Sequence, residues 1–451
     1  MLASPDPHDE RARVLSLVRR FGWNATSFQV LEPGYRYFFP DGDACVAYVD
    51  TGRAWVAAGA PLADDGRFAD VTAAFVRAAR AANRRPCFFA TEDRFTGRVP
   101  LRSLLVGEQP VWEPDRWGAS LKGSASLREQ LRRARAKGVQ VRVTDVAAAA
   151  GAPSHEALRG FVEDWLGARE MAPLGFLARV DPLALLPDRP LFVAERAGEV
   201  VGLLSVAPIH GREGWLLQNL LRAPDAPNGT AEALFDEAMR VAAARGLTFV
   251  TLGLAPLAGR VAAPLRFARH AGRSLFNFEG LRAFKAKLLP SRWDAVYTSF
   301  PAETAAPRAI VDVLSAFAHG KFVRFGIATL LRGPTLVVSL LAVLLIPWTI
   351  LLATCEWRTW FPHPAFKWGW VVFDACVAAG LFALRRRWRP VLARLLVAAI
   401  GADAVGTALE ALWWNAPRAT DAAVRALLVI AALAPIVAVL ILSAAVRRRR
   451  A

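Results

Sequence analysis

Cysteine is scarce: four residues in 451, Cys45, Cys87, Cys355 and Cys376, with no CxxC pair and no ligand spacing to the six histidines. That argues against a disulfide framework and against a zinc site. The first 23 residues contain no apolar run of the kind that makes a secretory leader. They read instead as a short amphipathic helix beginning near Pro7. Acidic residues are also in short supply, 39 against 56 Lys+Arg, for a net charge of +17. The deficit is uneven. From Lys321 onward there are 16 Lys+Arg and 5 Asp+Glu, net +11, leaving 40 and 34, net +6, for residues 1–320. Most of the basicity belongs to the tail, and the remainder is compatible with tRNA or anionic lipid without arguing for either.

Apolar residues are plentiful, 54% of the chain, and concentrated at its end. Residues 335–354, 368–384, 391–413 and 424–446 form four segments near the roughly 20 residues that cross a hydrocarbon core. Four spans return the C-terminus to the side of the N-terminus. Lys321, Arg324, Arg332, Arg385, Arg386, Arg387, Arg389, Arg394 and Arg447 to Arg450 put 12 cations on that shared side. Arg358, Lys367, Arg418 and Arg425 put 4 on the other. The bias places the soluble part and both termini in the cytoplasm of a multi-pass membrane protein. Asp374, Asp403 and Glu410 fall within the expected spans, where an ionised group costs about 2.5–3.5 kcal/mol or more. Asp403 and Glu410, seven apart, share a helix face. Either a polar pathway or interhelical hydrogen bonding would account for them.

Ahead of the tail the length leaves room for two or three domains. Two apolar runs between Tyr35 and Ala60 flank the turn residues Asp50 to Arg53, a hairpin signal. Phe68 to Asn83 has helical spacing, and a strand starts at Pro86. Strand, strand, helix, strand is the plan of a GNAT-type acyltransferase half-domain. This half offers no nucleophile or paired base and reads as scaffold.

A second half follows. Ser126 and Glu129 form a capping-box pair ahead of a helix that Gly138 ends before the strand VQVRVTD. Arg128, Arg132 and Arg135 share one face of it, either to contact phosphate or as a solvated basic surface. A helix over residues 154–171 precedes two strands around the Ala197 to Glu199 turn and a third over residues 214–221. In a GNAT layout the central strands splay apart and the gap admits the acyl donor. His210, in the connecting loop, is a candidate base or a surface residue. The loop RAPDAPNGT then opens a helix over residues 232–245. Acetyltransferases using coenzyme A place a glycine-rich loop here, so that backbone N–H groups hold pyrophosphate. Two prolines in this loop remove such donors, which argues for a different acyl carrier.

The densest stretch runs from Gly246 to Tyr297. Leu247 to Leu254 reads as a buried strand ending in the Gly253 to Pro256 turn. Phe276, Phe278, Gly280, Arg282, Lys285, Lys287, Pro290, Trp293 and Tyr297 follow, setting cations beside an aromatic wall. That suits a phosphate-bearing ligand with flat groups. TLGLAPL with F-x-F-x-GL-x-x-FK-x-K-x-x-P-x-x-W-x-x-x-Y resembles the C-terminal catalytic domain of the bacterial phosphatidylglycerol lysyl- and alanyltransferases, the aminoacyl-phosphatidylglycerol synthases. GSASLREQLRRARAKGV at residues 123–139 and LLQNLLRAPDAPNGTAEALFDEAM at residues 216–239 agree, in family order, so the resemblance covers roughly residues 30–300.

The resemblance implies an α/β (α+β) chain of tandem GNAT-like domains. An N-terminal helix (1–19) leads to half-domains at 20–118 and 119–300, a linker (301–334), four transmembrane helices (335–446) and a basic tail (447–451). It implies aminoacyl transfer from aminoacyl-tRNA to a hydroxyl of phosphatidylglycerol or another glycerolipid. Such transfer alters membrane surface charge and resistance to antimicrobial peptides, and needs no metal or further cofactor. On that reading Asn219 and Arg222 sit near the reacting carbonyl, with His210 as candidate base. Asn228, Gly229, Thr230 and Glu232 form the helix-start loop, and Arg128, Arg132, Arg282, Lys285 and Lys287 hold phosphates. Gly253, Pro256, Phe278, Gly280, Trp293 and Tyr297 are motif positions that contact ligand or maintain the fold. Two departures disfavour lysine as the transferred group. Asn219 stands where relatives carry an acid, and MAPL precedes Gly175 and Phe176 where lysyl-transferring relatives carry Glu. A small neutral amino acid is expected. The family usually places a larger membrane domain first; here the order is reversed. An N-acyltransferase with another donor and a degenerate lipid- or partner-binding module are the alternatives.

Overall fold

The computed structural model describes residues 7–145, 153–169, 171–184, 189–259, 261, 265, 278–332, 334–386, 388–419 and 421–448. Phe276, Arg387, Arg449 and Arg450 lie outside the described residues, as do the side chains of Arg385 and Arg448. The chain forms two compact units, Met1–Ala168 with Pro173–Phe322, and Arg169–Ala172 with Val323–Ala451.

The first unit is built on one mixed sheet. After helix α1 (Pro7–Phe21) come β1 (Arg36–Asp41), β2 (Ala44–Asp50) and β3 (Ala54–Ala58), then α2 (Phe68–Ala81) and β4 (Arg85–Thr91). The expected hairpin is β2 and β3, and β1 adds a third antiparallel strand to it across a turn at Gly42 and Asp43. Helix α2 buries Phe68, Val71, Phe75, Val76 and Ala79, a stripe at helical spacing, on the aromatic cluster of Tyr48, Phe88 and Phe95. It carries the chain from β3 to β4, which pair in parallel.

The second half repeats this plan. Helix α3 (Ala125–Ala136), β6 (Gln140–Asp145) and α4 (Pro153–Gly167) lead to β7 (Pro190–Arg196), β8 (Glu199–Ile209) and β9 (Gly214–Arg222). Helix α5 (Thr230–Ala244) then crosses over to β10 (Phe249–Thr251), parallel to β9. Two β-α-β crossovers in one sheet are the tandem GNAT-type arrangement expected. Between the halves, β5 (Arg102–Trp112) pairs with β10 and with the two-residue β11 (Ala255–Pro256). Near the end of the unit, after α6 (Phe278–Lys287), β12 (Arg292–Phe300) inserts between β4 and β5. The order is β1-β2-β3-β4-β12-β5-β10-β9-β8-β7-β6. Helix α7 (Ala306–Phe317) closes the first half, with the buried Asp312 carboxylate on Arg85 at 2.6 Å.

Two local expectations are corrected. The cap of α3 is Ser124, whose extended backbone lets its Oγ accept from the Leu127 N–H at 3.3 Å; Ser126 is already inside the helix. Glu129, freed from capping, holds Arg132 and Arg133 at 2.8 and 2.7 Å. The strand expected over residues 247–254 is cut to Phe249–Thr251, because beyond Thr251 the chain parts from β9 and pairs again only with β5, at Ala255.

The second unit is helical: α8 (Phe322–Arg332), α9 (Pro334–Thr354), α10 (Pro364–Arg386), α11 (Pro390–Glu410) and α12 (Ala422–Arg448). Among the described residues three stretches are long and apolar enough to cross a membrane: Pro364–Leu384, Pro390–Arg418 and Val424–Ala444. Helix α9 covers the first expected span, and the stretch Val338–Thr354 within it is apolar but shorter. Helix α10 begins four residues before the expected second span, which removes its apparent shortness.

Candidate active site

Strands β9 and β10 run side by side only from Gly214/Phe249 to Leu216/Thr251. Beyond that β9 continues to Arg222, while the other strand turns away from it and pairs again with β5 through Ala255 and Pro256. Lys285 fixes the diversion. Its Nζ, buried in α6, donates to the carbonyls of Leu252, Gly253 and Leu254 at 2.8, 2.8 and 2.9 Å. Burial pulls this ammonium down to about 7, whereas three carbonyl acceptors favour the charged, three-donor form.

The gap opened by the parting strands is a cavity of about 290 Å³. Strand β9 contributes Leu216, Gln218 and Asn219, and the diverted segment Gly253 and Pro256. The first half, read from sequence as scaffold, contributes Gln29, Glu92 and Gln109 to the wall. Parallel strand ends are where open α/β sheets take ligands.

Two buried polar networks frame the cavity. In the first, the Gln218 amide donates to Glu32 Oε1 at 2.6 Å and accepts from Arg189 at 3.2 Å. Arg189, 1% exposed, also donates to Val206 O and to Ser205 Oγ, which accepts from Asn219 Nδ2 at 3.0 Å. Burial raises the Glu32 carboxyl above its ordinary range, and the Gln218 hydrogen bond opposes the rise. In the second, Glu92 accepts from Arg212 at 2.6 Å, and from Asn24 Nδ2 and the Ala25 N–H at 3.3 and 3.4 Å. Arg212 is sandwiched between Trp23 and Phe249, 4.6 and 4.4 Å from their ring centres. Burial raises Glu92 too, with the Arg212 charge opposing. The cavity is thus walled by amides from one half and by an arginine-held carboxyl from the other.

The residues singled out in the sequence are distributed unevenly about it. Asn219, Gly253 and Pro256 line the cavity. Arg222 is the exposed last residue of β9, three positions beyond Asn219. His210 lies in the turn after β8, its ring 6.2 Å from Phe28, and does not line the cavity. Asn228 is exposed, and Thr230 Oγ1 donates to Pro227 O at 2.7 Å within its own loop. The expected row of phosphate-binding cations is not a row of open charges. Lys285 caps the strand end, Lys287 pairs with Glu232 at 2.7 Å, and Arg282 approaches Glu108 at 3.5 Å and stacks 4.8 Å from the Trp293 ring. Arg128 donates to the Leu121 and Lys122 carbonyls, Arg132 pairs with Glu129, and Arg135 reaches Asp236 at 3.3 Å. Repulsion along α3 is thereby relieved inside the protein. Phe278 and Gly280 form the first turn of α6, and Tyr297 on β12 interacts with Asp93. Glu92, Gln218, Glu32, Arg189 and Arg212 were missed. Only Glu92 carried a signal, its place just after an apolar run at the end of a parallel strand.

A two-half GNAT-type sheet with a polar cavity at its parting strands, followed by apolar helices, defines an acyltransferase-like protein with a helical membrane-type unit. The chain belongs to the family described as "Phosphatidylglycerol lysyltransferase, C-terminal", whose model matches residues 16–300. It is 33% identical over 156 residues to a phosphatidylglycerol lysyltransferase of Bacillus subtilis, covering 32% of this chain and 18% of that protein. It is 25% identical over 311 residues to the lysylphosphatidylglycerol biosynthesis bifunctional protein LysX of Gordonia bronchialis, covering 64% and 27%. The chain thus spans about a fifth to a quarter of the length of the curated relatives it matches. Solved structures share the fold: a C-terminal DUF2156 domain from Agrobacterium fabrum has a TM-score of 0.60 at 24% identity, covering 70% of this chain and 99% of that one. For L-PGS from Bacillus licheniformis the TM-score is 0.59 at 23% identity, covering 69% and 97%.

Proposed function

We propose that this protein transfers an aminoacyl group from aminoacyl-tRNA to a hydroxyl of phosphatidylglycerol or a related membrane glycerolipid. The observation that carries this is the cavity where β9 and β10 part, with Asn219 and Gln218 on one wall and Glu92 on the other, in a chain of this family. An aminoacyl ester is already activated, so transfer needs placement and a sink for developing charge more than a strong nucleophile. The lipid hydroxyl attacks the ester carbonyl, and the tRNA ribose oxygen leaves with a proton. Amide N–H groups at Asn219 and Gln218 face the developing oxyanion. Glu92, raised by burial and steadied by Arg212, takes the proton from the attacking hydroxyl and returns it to the leaving one. The loop after β9 keeps Pro224 and Pro227, so it lacks the amide donors a coenzyme A pyrophosphate needs. With no carboxylate at 219, the transferred group is a small neutral aminoacyl. The helical unit anchors the enzyme in the cytoplasmic membrane, with the catalytic unit on the tRNA side.

Lipid mass spectrometry on cells expressing the whole chain tests this. A lipid heavier by one amino-acid residue should appear, absent from an empty control and reduced about 100-fold or more in Glu92→Gln. An unchanged lipid profile, with the protein folded and in the membrane, would overturn the proposal.

A further inference from the structure

The helical unit encloses a second cavity, of about 120 Å³, between α9, α10, α11 and α12. Asp374 on α10 and Asp403 and Glu410 on α11 line it, and no Lys, Arg or His does among the described residues. Glu410 ends α11, and Asp403 lies about 10 Å back along the helix axis. Two of them are held through one oxygen. Thr407 Oγ1 donates to Asp403 Oδ1 at 2.9 Å, and Trp370 Nε1 to Glu410 Oε2 at 3.0 Å. Gly406 permits the second contact, because a Cβ there would stand 2.9 Å from the Trp370 ring.

Asp374 has an oxygen left over. It is 4% exposed, lines the cavity, and its Oδ2 has no hydrogen-bond partner among the described residues. Glu410 Oε1 is in the same position. Acceptors this deep without donors call for a cationic partner. The remaining wall says which kind. Trp348, Trp360, Phe361 and Trp370 line the cavity with the carboxylates, and aromatic rings attract a compact cation without demanding hydrogen bonds. The described residues form no metal-ligand group of three or more His, Cys, Asp or Glu.

We propose that this cavity binds an ammonium group, carried by a lipid head group or by a small soluble amine. Carboxylate oxygens accept its N–H donors while the indole faces stabilise its charge. The proposal stands whether or not the first unit transfers aminoacyl groups.

The test uses the full chain in phosphatidylglycerol nanodiscs, titrated with methylammonium chloride and followed by tryptophan fluorescence, with sodium chloride as the control titration. A saturable change is expected, weakened at least about tenfold by Asp374→Asn. Glu410→Gln, at the end of α11, should weaken it likewise and serves if the Asp374 variant does not fold. Discs containing phosphatidylethanolamine separate the sources: a lower apparent methylammonium affinity identifies a lipid-borne amine, and an unchanged one a soluble amine. An equal response to sodium, or an unaltered curve in both folded variants, would overturn the assignment.

Discussion

Lys285 shows how a residue's environment changes its meaning. In sequence it belongs to a basic run suited to phosphate; in the fold it serves three backbone carbonyls that no strand partner satisfies. Lys285→Met leaves these acceptors buried and unpaired, at about 3 kcal/mol or more. The melting temperature of the purified chain should fall by at least about 5 °C, and a loss confined to ligand affinity would show the side chain to be a binding group instead. Glu92 makes a prediction in pH. Burial raises its carboxyl above the ordinary 4.5, so between 4.5 and that raised value the folded chain holds a proton the unfolded chain has released. Its contribution to stability is therefore full below 4.5 and is lost as pH rises through the raised value. Glu92→Gln does not titrate, so melting temperatures measured from pH 4.5 to pH 7 should shift progressively in the variant's favour relative to the parent. A gap constant across that range would mean that Arg212 keeps Glu92 ionised throughout.

Elements were more legible than partners. Period and punctuation in the sequence locate α2, the β7 to β9 run and the apolar helices, because each burial pattern is written within a single segment. Ion pairs such as Arg135–Asp236 and Lys287–Glu232 join segments about 100 and 55 residues apart, and no local period encodes them. The cationic stripes on α3 and α6 could thus be seen, but not their neutralisation. Gly229 illustrates the same limit. Within a loop rich in proline it reads as part of a ligand cradle, yet its φ is +97° and a Cβ would lie 2.2 Å from Gln130 O on α3. Gly229→Ala should force α5 off α3, costing about 2 kcal/mol or more. A melting temperature within a degree of the parent's would show that this close approach is not required.

Over the whole molecule, charge and hydropathy divide the chain as the two units do, with net +11 from Lys321 onward. The cation bias makes the topology testable in a chain whose four cysteines are replaced by alanine. His363→Cys, between α9 and α10, should react with a membrane-impermeant maleimide on intact cells, and Arg389→Cys, between α10 and α11, only after lysis. The reverse pattern would put the catalytic unit away from tRNA. Sheet order has a different consequence, one of timing. Because β12 sits between β4 and β5, the edges of both remain open until residue 300 has been synthesised, although the other strands of the first half are complete by residue 112. The nascent chain therefore carries exposed strand edges from residue 91 to residue 300 of its translation. A ribosome pausing before that last strand would hold an aggregation-prone half in the open, while one passing it closes the sheet before the apolar helices emerge.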